Sequence, residues 1–183
     1  MDLDLKKKIA YFSSCMIIHP VDISVAEKDC EVNGKQYKKG DKISVFKYKG
    51  WNKLQKSIPI KTNHFAVNLN DDYLCVDLDK GIDKDTGEYK DGEKSLSDVG
   101  YPIMMMNDNT PITRTIRGGL HCYYKQTEYF KSKIKTNKNG ILPGVDIKVK
   151  GGCAYEGTKY TVEFFPEEFE DADPIPDALV DAL

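Results

Sequence analysis

The stretch LCVDLDK, Leu74–Lys80, places Asp77 and Asp79 two positions apart at the end of an apolar run. Successive side chains of a β-strand point to opposite faces, so the aliphatic residues of this stretch share one face and the two aspartates share the other. The aliphatic face predicts a half-buried strand from Tyr73 to Asp79. Two neighbouring carboxylates repel each other unless a cation lies between them. The stretch therefore predicts a core strand that also presents a carboxylate pair to some positively charged partner.

The composition is that of one soluble domain. The 183 residues are 40% hydrophobic and 31% charged, and no run reaches the ~18–20 apolar residues of a transmembrane helix. Lys6, Lys7 and Lys8 precede the apolar run IAYFSSCMII, but no small-residue cleavage site follows. The five cysteines are scattered and form no CxxC pair. We therefore expect an intracellular protein that is not secreted and has no membrane partner.

The net charge of −2 averages two unlike regions. The segment Glu163–Leu183 holds eight acidic residues and no Lys or Arg, which leaves 27 basic against 21 acidic residues elsewhere. A basic body suits a polyanionic partner, although surface lysines also serve solubility alone. The two arginines of the chain, Arg114 and Arg117, both lie in TRTIRGGLH. A guanidinium fork grips phosphate or carboxylate through two hydrogen bonds, so this pair indicates an anion contact.

Alternating apolar and polar residues predict a strand-rich chain with few helices. A hairpin is predicted at Asn33-Gly34, and the strand before it is predicted to stop at Pro20. The predicted strands are Met16–His19, Lys42–Lys49, His64–Leu69, Tyr73–Asp79, TPITRTI, LHCYYK, GVDIKVK and AYEGTKYTVEFF. The predicted helices are residues 3–14, with Leu5, Ile9 and Phe12 on the apolar side, and one capped by Ser95 and Asp98. Charged or Lys/Asn-rich composition predicts loops over residues 80–95 and 131–140. These elements together predict a mixed α+β domain.

Three predicted strands carry residues that could bind a metal ion or a phosphate. In GVDIKVK, Asp146 lies on the face opposite the valines and isoleucine, and in LHCYYK, His121 lies opposite Leu120. If these strands join that of Asp77 in one sheet with aligned polar faces, Asp77, Asp79 and Asp146 converge beside His121. Carboxylate oxygens suit Mg²⁺ or Mn²⁺, and two such ions support in-line phosphoryl displacement. No other His or Cys stands at a zinc-ligand spacing, so phosphate contact is the expected role of His121.

Each of these motifs also has a structural explanation. A DxD triplet is commonly a strand end that meets solvent, and Gly118-Gly119 commonly forms a hairpin turn. Lys148 and Lys150 commonly form a solvated face. Glycines without Cβ nevertheless let a backbone approach a phosphate closely, which makes Gly118 and Gly119 candidate phosphate-binding residues. The order in which the motifs occur distinguishes the two interpretations.

In chain order, CVDLD, RGGLH and GVDIKVKGG resemble the three motifs of the archaeo-eukaryotic primase superfamily. The likeness is to the primase-polymerase (Prim-Pol) domain of viral, phage and plasmid primase-helicases and spans roughly Trp51 to Leu183. Lys148 stands where arginine is commoner in that family, and Thr158 where serine is commoner. The resemblance implies an RRM-like antiparallel or mixed sheet that carries the active site, beside a second small α/β unit.

The resemblance also implies a division of the chain and a set of site residues. Residues 1–165 would form the catalytic domain, and residues 166–183 an acidic linker with a short closing helix, which leads to a helicase region in longer proteins. Two Mg²⁺ or Mn²⁺ ions would be held by Asp77, Asp79 and Asp146. The triphosphate of the incoming nucleotide would be contacted by Arg117, Gly118, Gly119, His121, Lys148 and Thr158.

The function that the resemblance implies is that of a DNA primase and DNA polymerase, a nucleotidyltransferase acting in DNA replication. Its partners would be single-stranded DNA, nucleoside triphosphates and a helicase domain or helicase protein. One alternative is a primase-like module that binds single-stranded DNA or an origin without turnover of its own. Another is a metal-dependent nuclease, which uses similar carboxylates but leaves the RGG-x-H and GVDIK motifs poorly explained.

Overall fold

The computed structural model describes residues 5–46, 63–83, 86–105 and 108–183. None of the described helices is long and apolar enough to cross a membrane. The helices are α1 (Leu5–Ser13), α2 (Gly92–Asp98), α3 (Glu128–Lys133) and α4 (Asp177–Ala182), with 3₁₀ turns at Ile103–Met105 and Phe169–Asp171. The strands are β1 (Ile17–Val25), β2 (Cys30–Val32), β3 (Lys35–Tyr37), β4 (Lys42–Phe46), β5 (His64–Asn68), β6 (Tyr73–Leu78), β7 (Lys80–Ile82), β8 (Tyr89–Asp91), β9 (Ile112–Arg114), β10 (Leu120–Lys125), β11 (Lys138–Leu142), β12 (Val145–Lys148), β13 (Cys153–Gly157) and β14 (Thr161–Phe164).

Two larger sheets organise the described residues. A six-stranded sheet has the order β11-β12-β6-β10-β9-β14, and a four-stranded sheet has the order β13-β5-β1-β4. Neighbouring strands run antiparallel in both sheets, and β2–β3 and β7–β8 form separate hairpins. The predicted mixed α+β class is therefore confirmed. The strands β5 and β6 follow each other in sequence but belong to different sheets.

One face of the six-stranded sheet packs against helices. The aliphatic residues of β6 that the alternation assigned to one face are fully buried there, together with Leu96 of α2, Phe130 of α3 and Leu179 of α4. Every second residue of β10 and β12 joins the same cluster. A strand that buries one complete face in this way has its register fixed, because a shift of one residue would expose that face.

The opposite face of the six-stranded sheet packs against the four-stranded sheet and α1. Phe12 of α1 lies in van der Waals range of the rings of Phe65 on β5 and Tyr123 on β10, with centroid separations of 5.8 and 4.9 Å. Tyr73 and Cys75 of β6 are buried in the same cluster. The central strand β6 is therefore covered on both faces, and it approaches solvent at the end where Asp77 lies.

The predicted stop at Pro20 is wrong, because β1 continues to Val25. Proline has no N–H to donate to a strand ladder. Pro20 is nevertheless paired with Phe65 of β5, so the strand continues through the proline without an N–H from that residue. The prediction for Lys42–Lys49 is confirmed as far as Phe46, and its last three residues lie outside the described part of the chain.

Residues 80–95 are not a loop, because they contain the hairpin β7–β8 and the first half of α2. The predicted cap at Ser95 is also wrong. Asp91 caps α2 by accepting a hydrogen bond from the N–H of Lys94, and Ser95 lies inside the helix. An aspartate at this position satisfies a free N–H of the first turn, which is the role that the sequence pattern assigned to Ser95.

Two further segments differ from their predicted form. The Lys/Asn-rich stretch 131–140 contains the end of α3 and the start of β11 rather than a continuous loop. Residues 166–183 include the expected closing helix, but the segment before it packs into the protein. Phe169 and Ala172 are buried in the core between the sheets, and Ile175 is buried against the helical face.

Candidate functional site

The candidate site lies where three adjacent strands present polar side chains on the same face. Asp77 of β6 pairs directly with Asp146 of β12 on one side and with His121 of β10 on the other. Side chains of directly opposed residues in an antiparallel pair point to the same face, ~4.5–5.5 Å apart at Cβ. The strand pairing therefore brings together Asp77, Asp146 and His121, one from each of the three sequence motifs. This is the alignment of polar faces that the sequence analysis assumed.

Asp77 is largely enclosed, with 17% of its side chain exposed against 23% for Asp146. Its Oδ1 lies 3.6 Å from Nε2 of His121. Burial raises the pKa of Asp77, His121 opposes that rise, and the neighbouring charges of Asp79 and Asp146 add to it. Asp77 is therefore a carboxylate whose ionisation is disfavoured by its surroundings and would be assisted by any added positive charge.

Asp79 follows β6 and is fixed by its backbone. Its N–H donates to the carbonyl of Gly144, 2.7 Å away, and its carbonyl accepts from the N–H of Gly92. A Cβ on Gly144 would lie 2.7 Å from the Asp79 carbonyl oxygen, and a Cβ on Gly92 would lie 2.4 Å from the Gly144 carbonyl oxygen. The two glycines therefore let three chain segments meet at the end of β6, and this contact sets the position of Asp79.

Asp146 is engaged by its own strand and the preceding one. Its Oδ2 accepts from Nζ of Lys148 at 2.6 Å, and its Oδ1 accepts from the N–H of Gly140 at 2.7 Å. Within the described residues, no group of three or more His, Cys, Asp or Glu side chains is already arranged to hold a metal ion. The donor set nevertheless consists of carboxylate oxygens, which suit Mg²⁺ or Mn²⁺. Lys148 thus occupies a position next to the carboxylates that a divalent cation would compete for.

The two arginines have different environments. Arg114 on β9 is held by Glu163 at 2.6 Å, by Glu93 at 3.4 Å and by the carbonyl of Gly118 at 3.0 Å, so its guanidinium serves the structure. Arg117 is exposed in the following turn. Arg117 lines a groove of about 270 Å³ whose other walls are Asp79, Lys80, Gly81, Ile82, Asp83 and Lys90. Of the two, Arg117 is the one that is available to an incoming anion.

The glycines of RGGLH have structural reasons of their own. Gly118 has a φ of +85°, which L side chains rarely adopt. A Cβ on Gly119 would lie 2.3 Å from the carbonyl oxygen of Leu78 and 3.4 Å from Cα of Asp79. The turn can therefore approach the end of β6 only because residue 119 is glycine. Contact of these glycines with a phosphate stays a prediction.

Thr158 stands apart from the carboxylates. It is exposed in the turn after β13, where its N–H donates to the carbonyl of Asn63. No described hydrogen bond joins its hydroxyl to Asp77, Asp79 or Asp146. The structure thus gathers Asp77, Asp79, Asp146, His121 and Lys148, places Arg117 beside them, and leaves Thr158 at the margin.

The four-stranded sheet contributes residues that the sequence analysis did not select. Loss of surrounding water and the charge of Arg117 lower the pKa of Lys42, while Asp79 and Asp77 oppose that shift. Burial, followed by the charge of Lys42, lowers the pKa of His64. These couplings put β4 and β5 near the carboxylates. No pattern within either strand could have shown this, because it depends on how the two sheets pack.

Glu156 on β13 is the most important residue that the sequence analysis missed. It is fully buried, and its Oε1 accepts hydrogen bonds from Thr113 Oγ1 at 2.7 Å, His121 Nδ1 at 2.8 Å and Tyr123 Oη at 2.7 Å. A signal was present, since Glu156 stands at the apolar phase of its strand, two residues after the buried Ala154. A carboxylate at a core position marks a bonded network.

Burial alone would lower the pKa of His121, but Asp77 and the hydrogen bond to Glu156 outweigh it and the pKa is raised. The imidazole thus lies between two carboxylates, one on each ring nitrogen. Such a ring can present a hydrogen-bond donor to an anion at the site.

Comparison of the sequence with protein-family models and with curated proteins gives no significant match.

Proposed function

We propose that the chain is a DNA primase-polymerase of the archaeo-eukaryotic primase superfamily, with the fold and domain division of the Prim-Pol domain. It would join nucleoside triphosphates on a single-stranded DNA template during replication. The observation that carries the proposal is the register of β12, β6 and β10, in which Asp77 stands between Asp146 and His121. The three sequence motifs thus meet at one place, which their separate structural explanations do not require.

The residues present fit a pair of Mg²⁺ or Mn²⁺ ions. Asp77, Asp79 and Asp146 would hold them, since all three offer oxygen donors. When bound, such ions stabilise the attacking and leaving oxygens of an in-line phosphoryl displacement. The disfavoured ionisation of Asp77 supports this assignment, because a carboxylate that is costly to ionise alone gains most from a nearby cation.

The other side chains would bind and orient the nucleotide. The two flanking carboxylates favour the charged ring, so His121 would donate from Nε2 to a triphosphate oxygen while its Nδ1 hydrogen stays engaged by Glu156. Arg117 is exposed beside Asp79 and would neutralise phosphate charge, and Lys148 would do the same once released from Asp146. Thr158 would add a weaker hydroxyl contact. Positioning and charge stabilisation supply most of the catalysis in phosphoryl transfer, so no further nucleophile from the protein is needed.

The test is a primer-synthesis assay on single-stranded circular DNA, with both nucleotide pools and with Mg²⁺ or Mn²⁺. We expect wild-type protein to synthesise or extend strands paired to the DNA template. We expect Asp77→Asn to abolish this activity. Asp98→Asn is the matched control, because Asp98 is exposed on α2 and pairs only with Lys94 in the described contacts. Full nucleotide addition by Asp77→Asn would reject the proposal.

Two parallel reactions separate the alternatives. Shortening of labelled DNA in the absence of nucleotides would identify a nuclease. Salt-dependent binding of single-stranded DNA, with no nucleotide addition under either metal ion, would identify a binding module. Addition of a helicase from the same source, followed by new primer synthesis, would assign the helicase as the missing partner.

A further inference from the structure

Glu156 places a fully buried carboxylate between the two larger sheets, where the stability of the fold does not require a charged group. Its Oε1 is satisfied by three donors, whereas its Oε2 has no hydrogen-bond partner among the described residues. Removing a carboxylate from water is costly, and well-packed apolar replacements of buried charges are often neutral or stabilising. Glu156 therefore calls for a role beyond holding the fold together.

The position of Glu156 is set by the end of β13. Gly157 follows it, and a Cβ on Gly157 would lie 2.6 Å from the ring of His64, so the strand can approach β5 only with glycine there. The buried Nζ of Lys8 donates to the carbonyl of Gly157 at 3.1 Å and also to that of Tyr160. Helix α1 thus fixes the turn that carries the Glu156 carboxylate.

The His121 ring is held on three sides. Its Nδ1 lies 2.8 Å from Glu156, and the rings of Tyr160 and Tyr123 approach it edge-on, with centroids 5.7 and 6.4 Å away. The remaining nitrogen, Nε2, faces Asp77 at 3.6 Å. Glu156 accepts hydrogen bonds only, so the hydrogen of this contact belongs to Nδ1.

We propose that Glu156 is a positioning residue that fixes a hydrogen on Nδ1 of His121 and thereby directs Nε2 to the carboxylate site, where a substrate phosphate would bind. That the ligand is a substrate phosphate rests on the proposed function, whereas the orientation of the His121 ring does not. A hydrogen bond on one imidazole nitrogen fixes the orientation of the ring and therefore the direction of the other nitrogen, and partners of this kind typically change affinity or activity 10- to 100-fold.

The first test is the ¹⁵N–¹H spectrum of the imidazole nitrogens in the full chain without nucleotide. The chain has three histidines, so His19→Asn and His64→Asn assign the His121 signals. We expect a hydrogen on Nδ1 of His121 in wild type, beside the one on Nε2, and loss of the Nδ1 hydrogen in Glu156→Ala, where a neutral ring keeps its hydrogen on Nε2. A bare Nδ1 in wild type, or an unchanged spectrum in Glu156→Ala, overturns the proposal.

Matched controls separate positioning from a structural role. Thr113→Val and Tyr123→Phe each remove another donor to the same carboxylate while leaving both partners of the His121–Glu156 hydrogen bond in place. Both are expected to keep the hydrogen on Nδ1. Loss of that hydrogen in the two controls, to the same extent as in Glu156→Ala, would show that only the integrity of the buried network matters.

The second test is a double-mutant cycle on nucleotide addition. Glu156→Ala and His121→Ala are each expected to lower kcat/KM for the triphosphate about 10- to 100-fold, and the double variant to be no worse than His121→Ala. Additive losses overturn the proposal. If Glu156→Ala fails to fold by circular dichroism, Glu156→Met replaces it, because methionine has a similar volume and no carboxylate to accept from Nδ1. The methionine variant should lose more activity than Thr113→Val, and equal losses overturn the proposal.

The two tests also keep this proposal distinct from the proposed function. If wild-type protein adds no nucleotide under any condition, the primase-polymerase assignment fails. The imidazole spectra then still decide whether Glu156 orients His121. If wild type is active and the spectra show a bare Nδ1, the polymerase assignment stands and the role of Glu156 falls.

Discussion

Replacing Asp77 by asparagine is expected to stabilise the protein in the absence of divalent cations while it abolishes nucleotide addition. The pKa of Asp77 is raised, first by burial and further by Asp79 and Asp146, so the ionised side chain is held at a cost. Directly opposed like charges on neighbouring strands cost ~0.2–1 kcal/mol, and removal from water adds to that. We therefore expect a gain of about 1 kcal/mol, or ~2–4 °C in Tm for a chain of this size.

The assay is thermal and urea unfolding in EDTA across a pH series. Because the folded state binds the Asp77 proton more tightly than the unfolded chain, wild-type stability falls as pH rises from the ordinary aspartate pKa to the raised value. Above that window the penalty is fully present, and below it the penalty vanishes. The advantage of Asp77→Asn should therefore be largest at neutral pH and disappear in acid.

Cations supply the second half of the experiment. Mg²⁺ or Mn²⁺ should raise the Tm of wild type by mass action and leave Asp77→Asn almost unchanged. Asp146→Asn is the matched control, because its amide can still accept from the N–H of Gly140 but loses the charge-assisted hydrogen bond from Lys148, and it should lose about 1 kcal/mol in EDTA. A lower stability of Asp77→Asn than wild type in EDTA, or equal stabilisation of both by the cations, would refute the reasoning.

Three further predictions test the surrounding structure. Gly119→Ala should lower the free energy of urea unfolding by ~1–3 kcal/mol, because its Cβ would lie 2.3 Å from a β6 carbonyl oxygen. Gly151→Ala is the control: its Cβ would meet open space, so only its φ of +82° is unfavourable and the loss should be smaller. Arg114→Gln should lower Tm, whereas Arg117→Gln should leave Tm unchanged and raise KM for the triphosphate; the reverse pattern would contradict their assignment. Phe169→Ala should cost ~3–5 kcal/mol, since its ring is 1% exposed in the core between the sheets, and a loss below 1 kcal/mol would show that residues 166–183 are not part of the fold.

The strands of the site could be predicted because their information is local. Period-2 alternation identified β6, β10 and β12 and assigned each side chain to a face. Their adjacency in one sheet was a separate assumption, which alternation cannot supply. The structure meets that assumption through the pairings of Asp77 with Asp146 and His121.

The residues contributed by the other sheet could not be predicted in the same way. Glu156 lies 35 positions from His121, and the contact exists only because β13 joins the sheet of β5 instead of that of β12. Nothing in the short polar turn between β5 and β6 signals that the chain changes sheets there. Strand order depends on the packing of two apolar faces at once, which no single segment encodes.

The arginines show how residue type alone misleads. Arg114 and Arg117 stand three positions apart, and their spacing indicated an anion contact for both. Arg114 ends a strand beside two glutamates, whereas Arg117 lies in the turn that follows. The glutamates come from α2 and β14, so the difference between the arginines arises from tertiary contacts.

The hydrogen bonds that Glu156 accepts from Thr113, His121 and Tyr123 join the two larger sheets across their apolar interface. A displacement of one layer relative to the other would pull the imidazole away from Glu156. Nucleotide chemistry in this protein would then depend on the mutual alignment of the layers as much as on the carboxylates themselves. Substitutions far from Asp77, such as those beneath α1, would act on turnover by loosening that alignment.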